Sequence, residues 1–419
     1  MPKFIPSPYT VGTAISDPNK FFGRQDLFGI INDCLKNNEQ IILLHGQRRI
    51  GKSSVLRQIP QKLSTDEFVF IDSDFQKIET PSTSKILCSI AIDIKNEIEK
   101  RNDELSNHLA ENTILILTHL AENTNSDSFR EFLSAVYQQI GNKKLVLLWD
   151  EFDVLSEKDS DNFCNYIRQL LEKDQKLFII PIVGRDISKL PNLVSSLRIK
   201  FSTEIGLLDI KHTRELIIKP AEKSLIYEEE AIEAIFNLSA GHPYFTQVVC
   251  LTLFELARSR EQYNISCQDV CNSNIVEKIL KDDQACAGLT WFWDGLTPEQ
   301  QVIFAAAAET QALPQQPLML LKSYGIVPTE YLDKAYDQLA EYEFLDETKV
   351  KVKIELVRRW LVKTHQLKDE ISNLETVEQE NVNKLLSVAD DLREHDDTQA
   401  VQTYELALKL NPNNFKTVT

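Results

Sequence analysis

Residues Gly46-Gln-Arg-Arg-Ile-Gly-Lys-Ser53 are the strongest indication of the fold, because they have the G-x-x-x-x-G-K-[ST] spacing of a phosphate-binding loop, or P-loop. An apolar run of β type, 40–44, precedes it, and a segment of helical spacing, 52–62, follows it. The backbone N–H groups of such a turn point inward at a helix N-terminus, where the helix dipole favours anions. We expect Lys52 to reach the β- and γ-phosphates of a nucleotide and Ser53 to coordinate Mg²⁺. The alternative is an ordinary strand-to-helix turn with a solvated lysine.

A pair of acidic residues, Asp150 and Glu151, follows an apolar run at 144–149 that we interpret as a fully buried strand. Carboxylates at the carboxyl end of a parallel strand face the ligand crevice. We expect Asp150 to bind Mg²⁺, directly or through water, and Glu151 to orient and polarise the attacking water. The alternative is an acidic loop with no catalytic role. The third acid, Asp153, is predicted to be structural.

The next predicted strand, 177–183, ends at Gly184 and Arg185. An arginine at this position would reach the γ-phosphate and report hydrolysis. A surface salt bridge is the alternative interpretation of Arg185.

Continuous apolar strands alternate with helical segments as far as about residue 206, which favours a parallel sheet covered on both faces. The predicted strands are 40–44, 67–72, 144–149 and 177–183, and the predicted helices are 52–62, 82–101, 129–140 and 163–171. After this point the strands stop, and the segments 212–218, 229–238 and 244–260 have helical spacing, so we expect a small all-helical unit. From 286 to 365 we predict helices, one starting at Thr297-Pro-Glu-Gln300, and then a β-hairpin at 344–353, an order typical of a winged-helix module. Residues 366–419 are acidic, polar and helical in composition. We therefore divide the chain into domains 1–206, 207–285, 286–365 and 366–419.

The 419 residues carry a net charge of −17, which opposes a general role in coating DNA or RNA. No apolar run approaches the length of a membrane span, and the N-terminus has no secretory signal, so we expect a cytoplasmic protein. Seven cysteines, an odd number, are spread thinly along the chain, which is typical of reduced thiols. Cys267 and Cys271 are four residues apart but no histidine lies near them, so we interpret them as buried or surface thiols and not as a metal site.

The motifs, taken in order, resemble the STAND class of signal-transduction NTPases, which is close to the AAA+ and archaeal-type ATPases, over about residues 5–365. Phe21-Phe-Gly-Arg24 looks like the adenine-binding hhGR element of that class, the P-loop like its Walker A motif, and 147–151 like its Walker B motif. Arg185 looks like its sensor arginine. Gly241-His242-Pro243 matches its GxP motif, in which the proline packs near the adenine.

This resemblance implies an α/β fold, in which a P-loop NTPase parallel-sheet domain is followed by a helical lid, a winged-helix domain and a short α-helical repeat. The nucleotide-binding residues that it implies are Phe22, Gly23, Arg24, Gly46, Arg49, Ile50, Gly51, Lys52, Ser53, Ser54 and Pro243, the catalytic residues are Glu151 and Arg185, and the metal ligands are Ser53 and Asp150.

The C-terminal stretch QAVQTYELALKLNPNN (399–414) has a softer resemblance to a tetratricopeptide repeat, carried by Ala400, Tyr404, Ala407 and Pro412. An amphipathic helix is the alternative. One such repeat cannot bury its own hydrophobic face, so we expect either a truncated chain or a shortened relative of longer proteins. We also expect a weakly stable hairpin, joined flexibly through the acidic stretch 368–380.

The function implied by the resemblance is a nucleotide-operated switch that binds ATP or ADP with Mg²⁺ and hydrolyses ATP slowly. Nucleotide exchange would change its conformation or drive self-assembly, and the C-terminal region would sense a protein or peptide; no membrane is expected as a partner, and the net charge disfavours nucleic acid. One alternative is a DNA-acting ATPase or transcription regulator that uses Arg358, Arg359 and the lysines of 349–353. Another is a scaffold that holds nucleotide without hydrolysing it.

Overall fold

The computed structural model describes residues 6–78, 81–101, 126–155, 157–184, 191–311, 316–393 and 397–410. They belong to two compact units. The sheet unit is Thr10–Pro220, and the helical unit is Met1–Tyr9 together with Ala221–Thr419. In the described part of the chain, no helix is both long enough and apolar enough to cross a membrane.

The sheet unit contains a five-stranded sheet in the order β2-β3-β4-β1-β5, in which neighbouring strands pair in parallel. The strands are β1 (Ile42–His45), β2 (Phe68–Asp74), β3 (Lys144–Asp150), β4 (Leu177–Val183) and β5 (Phe201–Glu204). The predicted parallel sheet is therefore confirmed. Because β4 lies between β1 and β3, the segments that follow β1 and β3 meet at one edge of the sheet, on either side of the end of β4.

Helices cover both faces of this sheet. They are α1 (Gln25–Lys36), α2 (Lys52–Lys62), α3 (Thr83–Arg101), α4 (Ser126–Ile140), α5 (Glu157–Leu171), α6 (Pro191–Leu197) and α7 (Ile210–Ala221). Helices α1 and α6 have no counterpart among the predicted elements. Short 3₁₀ turns lie at Pro18–Lys20, Phe75–Lys77 and Phe152–Val154.

The alternation of side chains along β3 divides the core into two layers. Leu145, Leu147 and Trp149 join the cluster formed with α3, α4 and α5. Val146 and Leu148 join the cluster formed with α1 and α2. All five side chains are fully buried, which explains why β3 is apolar at every position between its first and last residues.

The helical unit contains eleven helices among its described residues and a two-stranded parallel ribbon of β6 (Ile226–Tyr227) and β7 (Asn264–Ile265). The expectation of an all-helical unit at 207–285 was therefore wrong at these two short strands. The helices are α8 (Glu229–Ser239), α9 (Pro243–Arg260), α10 (Cys267–Cys271), α11 (Ser273–Ile279), α12 (Asp283–Trp293), α13 (Pro298–Thr310), α14 (Pro317–Ser323), α15 (Glu330–Glu341), α16 (Glu355–Thr364), α17 (Leu367–Arg393) and α18 (Asp397–Leu410). The helix start predicted at Thr297 is confirmed. The Thr297 hydroxyl accepts a hydrogen bond from the Gln300 N–H at 3.3 Å, and the Gln300 side chain accepts one from the Thr297 N–H at 3.0 Å.

The hairpin predicted at 344–353 is present in minimal form. Leu345 and Val352 form a single antiparallel bridge. Inside it, the Asp346 N–H donates to the Lys351 carbonyl at 2.8 Å, and the Asp346 carboxylate accepts the backbone N–H groups of Val350 and Lys351. The turn thus replaces the two long strands of an extended wing, and the winged-helix assignment stays a prediction.

The acidic stretch 368–380 lies within one continuous helix, α17, so the prediction of a flexible joint was wrong. Leu367, Ile371 and Leu374 are buried on the part of α17 that packs against α13. The later part packs against α18, where a small apolar cluster forms around Leu386. Helices α17 and α18 form the predicted hairpin, and its assignment as a tetratricopeptide repeat stays a prediction.

Candidate nucleotide-binding site

The loop between β1 and α2 needs its two glycines for different reasons. A Cβ atom on Gly46 would lie 2.7 Å from the carbonyl oxygen of Ile205, so the two backbones approach too closely for a side chain. Gly51 is the residue before α2 and has a φ of 100°, which L side chains rarely adopt. A Cβ atom there would meet no atom within 4 Å, so the space beside the start of α2 is open. The strand, loop and helix that the sequence predicted around the P-loop are all present.

Lys52 reaches back across this loop. Its Nζ donates hydrogen bonds to the carbonyl oxygens of Gly46, at 3.2 Å, and Gln47, at 3.1 Å. Burial lowers the pKa of Lys52, and the negative charges of Glu151 and nearby aspartates oppose that effect only in part. A half-buried ammonium whose pKa is lowered is stabilised by the arrival of an anion, and the backbone N–H groups of such a loop are arranged to bind phosphate oxygens.

The acids at the end of β3, Asp150 and Glu151, lie close enough to the Lys52 ammonium to affect its pKa. Asp150, the last residue of β3, accepts the backbone N–H of Glu151 at 3.1 Å through Oδ1. Glu151 itself has a φ of 51°, a left-handed conformation that is uncommon for a residue with a side chain. Burial raises the pKa of Glu151, Asp150 and Asp153 add to the rise, and Lys52 opposes it. A carboxylate with a raised pKa is a better proton acceptor near neutral pH.

Asp153 connects the turn after β3 to the end of β4. Its Oδ2 accepts the backbone N–H of Gly184 at 2.6 Å. A Cβ atom on Gly184 would lie 2.9 Å from the same oxygen, so the glycine allows this close approach. The sequence predicted a structural role for Asp153 but did not identify Gly184 as its partner. Arg185, which follows Gly184, lies outside the described residues.

Arg24, at the end of the segment Phe22-Gly23-Arg24, contacts the P-loop. Gly23 and Arg24 have φ angles of 77° and 71°, two successive left-handed residues that turn the chain into α1. A Cβ atom on Gly23 would lie 3.0 Å from the side chain of His212 in α7. Arg24 Nη2 donates to the carbonyl oxygen of Ile50 at 3.4 Å, and burial lowers the pKa of Arg24 to about 10.

Phe22 lies on the side of α7, where the Lys219 ammonium is 5.5 Å from the centre of its ring. Of the residues that the resemblance assigns to the hhGR element, Arg24 is thus the one for which the structure gives a hydrogen bond to the P-loop. Adenine recognition by this element stays a prediction.

The chain before this segment, 12–16, lies along α2, a contact that the sequence analysis missed. Arg49 Nη1 donates to the Gly12 carbonyl at 2.7 Å, and the Ser54 hydroxyl accepts the Ile15 N–H at 2.9 Å. The side chain of Gln58 donates to the carbonyl of Ile15 at 3.1 Å. Arg49 and Ser54 thus hold the backbone of this N-terminal segment, and their predicted contact with nucleotide stays a prediction.

Pro243 belongs to the helical unit, where it is the first residue of α9. It follows Gly241, whose φ is 76°, and the buried His242, whose ring centre lies 4.8 Å from that of Phe245. Gly241 and His242 thus lie between the end of α8 at Ser239 and the start of α9 at Pro243. The contact of Pro243 with adenine stays a prediction.

A family model described as an AAA domain matches residues 35–190, the part of the sheet unit that carries the P-loop and the acids of β3. No curated protein sequence matches the chain. The fold is similar to that of a Walker-type ATPase of Pyrococcus abyssi, with a TM-score of 0.61 and 16% identity over 84% of this chain and 98% of that one.

Two further solved structures match with lower scores. Cdc6p from Pyrobaculum aerophilum has a TM-score of 0.42 and 14% identity over 85% of this chain and 97% of that one. The RuvB Holliday junction branch migration motor of Thermotoga maritima has a TM-score of 0.42 and 16% identity over 80% and 93%. The parallel sheet, the loop of 46–53 and the matched AAA domain together show that the sheet unit is a P-loop NTPase domain of the AAA-like type, followed by a mostly helical C-terminal part.

Proposed function

We propose that this protein is an ATP-operated switch that binds ATP and ADP with Mg²⁺ in its sheet unit and hydrolyses ATP slowly. The observation that supports the ATPase part is that the half-buried ammonium of Lys52 and an acidic pair meet at one edge of the sheet. Lys52 follows β1, Asp150 and Glu151 lie at the end of β3, and the charges of these groups affect one another. Phosphate binding, metal binding and activation of water are the three tasks of phosphoryl transfer, and this edge offers a residue for each.

The donor set fits a magnesium nucleotide. Carboxylate and hydroxyl oxygens are protein ligands that suit Mg²⁺, and Asp150 and Ser53 supply one of each. Asp150 uses Oδ1 for the Glu151 N–H, which leaves Oδ2 for a metal ion or its water. Bound Mg²⁺ would neutralise charge on the β- and γ-phosphates. Lys52 and the loop N–H groups would bind the phosphates, and Glu151 would accept the proton of the attacking water.

The switch part needs ATP and ADP to favour different arrangements of the protein. The N-terminal segment supports such a role, because Arg49 and Ser54 bind it to the P-loop and α2. Only three residues before Gly12 the chain reaches Tyr9, which belongs to the helical unit and shares a hydrogen bond of 2.7 Å with the Tyr227 hydroxyl. A change in the P-loop on phosphate binding would therefore pull on a short chain that is anchored at both ends. Nucleotide-dependent self-assembly and a protein or peptide trigger at the C-terminal helices belong to the same proposal, which rests there on the STAND resemblance.

A DNA-acting role is the second candidate, and the charges of the C-terminal module disfavour it. Four of the five cations on which that hypothesis relied are already paired with carboxylates at 2.6–3.3 Å, as Lys349–Asp337, Lys353–Glu343, Arg358–Glu355 and Arg359–Glu355. Contacts between these cations and the phosphates of DNA would have to replace the ion pairs or form in addition to them. A recognition surface for DNA normally offers its cations to the phosphate backbone.

The test combines turnover with particle size. We expect slow, Mg²⁺-dependent ATP hydrolysis and a different hydrodynamic size with ADP than with a non-hydrolysable ATP analogue. Turnover without any change of size or conformation would retain the ATPase and reject the switch, and nucleotide binding without turnover would favour the scaffold. Tight duplex binding with a steep dependence on salt would favour the DNA-acting role instead.

A further inference from the structure

Two thiols of the helical unit lie side by side on α10. Cys267 and Cys271 are the first and last residues of this five-residue helix, and their Sγ atoms are 3.5 Å apart. Cys271 is exposed and Cys267 is half-buried, so reagents in solvent reach the pair. Two thiols at this separation need only a small movement to be joined by oxidation, because the bonded sulfur atoms of a disulfide are about 2 Å apart.

We propose that Cys267 and Cys271 form a redox-sensitive dithiol, a site of reversible modification that hydrogen peroxide closes into a disulfide and a thiol reductant reopens. The first step is attack of the exposed Cys271, as thiolate, on one oxygen of the peroxide. The O–O bond breaks, hydroxide leaves, and the sulfur becomes a sulfenic acid. Cys267 then attacks that sulfur, the S–S bond forms and water leaves. In total, two thiols lose two protons and two electrons, and one hydrogen peroxide molecule is reduced to two molecules of water.

The geometry of the helix determines how stable the product is. Side chains at i and i+4 of a helix have Cβ atoms about 5–6 Å apart. A relaxed disulfide needs Cβ atoms about 3.5–4.5 Å apart, so bond formation must tighten the turn. A disulfide that strains its surroundings has a more oxidising potential and is easily reduced. This is the behaviour of a switch and not of a structural crosslink.

The N-terminal end of α10 is held firmly by side-chain contacts. Asp269 Oδ2 accepts the Ser266 N–H at 3.0 Å, the Ser266 hydroxyl accepts the Asp269 N–H at 3.4 Å, and Arg260 pairs with Asp269 at 3.2 Å. We therefore expect the tightening to be taken up at the other end, around Cys271 and Asn272.

Asn272 links this end to the next helix. It is the N-cap of α11, and its Oδ1 accepts the Asn274 N–H at 3.0 Å. Helix α11 is in turn joined to α9 by an ion pair of 2.9 Å between Lys278 and Glu255. Oxidation of the pair would thus loosen the start of α11 while the anchored end of α10 stays in place.

Peptide mapping of the full-length chain tests this proposal, because the tryptic peptide 261–278 contains these two cysteines and no other. After treatment with one equivalent of hydrogen peroxide and then iodoacetamide, we expect this peptide to remain unalkylated and to be two hydrogen atoms lighter than the reduced, unalkylated peptide. Its alkylation should fall about tenfold relative to the peptide of Cys286, and dithiothreitol should restore it. Recovery of a doubly alkylated peptide, of irreversible sulfinic or sulfonic acids, or of crosslinks to a second chain would overturn the proposal.

Amide hydrogen exchange tests the structural consequence separately. The disulfide form should exchange faster than the reduced form at 272–274, while the amides near Ser266 keep their protection. The Cys271→Ser variant serves as the control, because it keeps a small polar side chain and cannot close the bond. A peroxide-induced change of equal size in this variant would show that another group is responsible and would overturn the proposed coupling.

Discussion

The cations of the P-loop site and those of the C-terminal module differ in what surrounds them. Burial lowers the pKa of both Lys52 and Arg24, and their hydrogen bonds go to backbone carbonyl oxygens. In the module of α15 and α16, by contrast, a carboxylate beside each cation raises the pKa of Lys349 and of Arg358. An added anion would stabilise the charged forms of Lys52 and Arg24. Lys349 and Arg358 are already paired with carboxylates. The difference indicates that a polyanionic ligand binds at the P-loop site and not at the C-terminal module.

The largest effect is expected from Lys52→Ala. Removal of the ammonium that spans the loop should weaken ATP and ADP binding by roughly 100-fold or more, because charge-assisted contacts to phosphate are among the strongest polar contacts. Isothermal titration calorimetry measures this directly. Lys349→Ala, which removes the same charge from the other region, should leave the affinity unchanged. Equal losses of nucleotide affinity in the two variants would show that the P-loop site and the C-terminal module do not differ in their contribution to nucleotide binding.

The next largest effect is expected from Glu151→Gln. The amide keeps the shape of the side chain but cannot accept a proton, so steady-state ATP turnover should fall by roughly 100-fold while nucleotide stays bound. Retained affinity in calorimetry is the control that separates a chemical defect from a folding defect. Unchanged hydrolysis would show that another carboxylate is the general base, or that the ATPase activity does not come from this site.

A smaller effect is expected from Asp153→Ala, which removes the hydrogen bond to the Gly184 N–H. We expect about a tenfold loss of turnover, with nucleotide affinity within about twofold, because the end of β4 loses its connection to the turn that carries Glu151. Asp153→Asn keeps an acceptor but loses the charge that helps to raise the pKa of Glu151. The acid limb of its pH–rate profile should therefore move to lower pH. A limb that stays in place would mean that Asp153 has no electrostatic influence on the base.

The smallest effect is expected from Glu378→Gln on α17, a carboxylate whose neighbours are Glu299 and Glu375. Burial and these like charges raise the pKa of Glu378 from 4.5 to about 7. A carboxyl whose pKa is higher in the folded state destabilises the fold when it is ionised. The resulting loss in the free energy of unfolding is absent below pH 4.5, grows between pH 4.5 and about 7, and is complete above about pH 7.

Denaturant unfolding at about pH 8 should therefore show a free energy of unfolding that is about 1 kcal/mol higher for the variant, after allowance for the partial exposure of Glu378. At about pH 4 the free energy of unfolding should not change. Glu380→Gln, on an exposed neighbour in the same helix, is the matched control. Equal gains from both variants would reject the like-charge explanation.

Much of the sheet unit could be predicted from sequence because its signals are local. A strand that is buried on both faces must be apolar along its length, as β3 is, and a P-loop must place glycine where φ is positive or where backbones touch. Helix α1 was not predicted, because Gly29, Asn32 and Asp33 are of residue types that are typical of turns. Its buried side chains nevertheless lie on one helical face, and they are Leu27, Phe28, Ile31 and Leu35.

The error at the C-terminal end has a physical cause as well. The stretch 368–380 is rich in acids, and that composition indicated a flexible joint. Ile371 and Leu374 lie on one face of α17, however, and burial of that face against α13 holds the segment as a helix. The composition of a segment gives the number of its charged residues, whereas the stability of a helix depends on whether those charges lie on its solvent-facing side or on its buried side.

The loop of 46–53, the acids at the end of β3 and most of the order of strands and helices in the sheet unit could be predicted from the amino-acid sequence, because each depends on residues that are neighbours in the chain. Which distant groups contact each other became known only from the folded chain. Arg49 binds the Gly12 carbonyl and Asp153 binds the Gly184 N–H, and each partner is a backbone group. Every residue type except proline offers the same N–H and C=O, so no side-chain pattern can mark such a partner before the chain has folded.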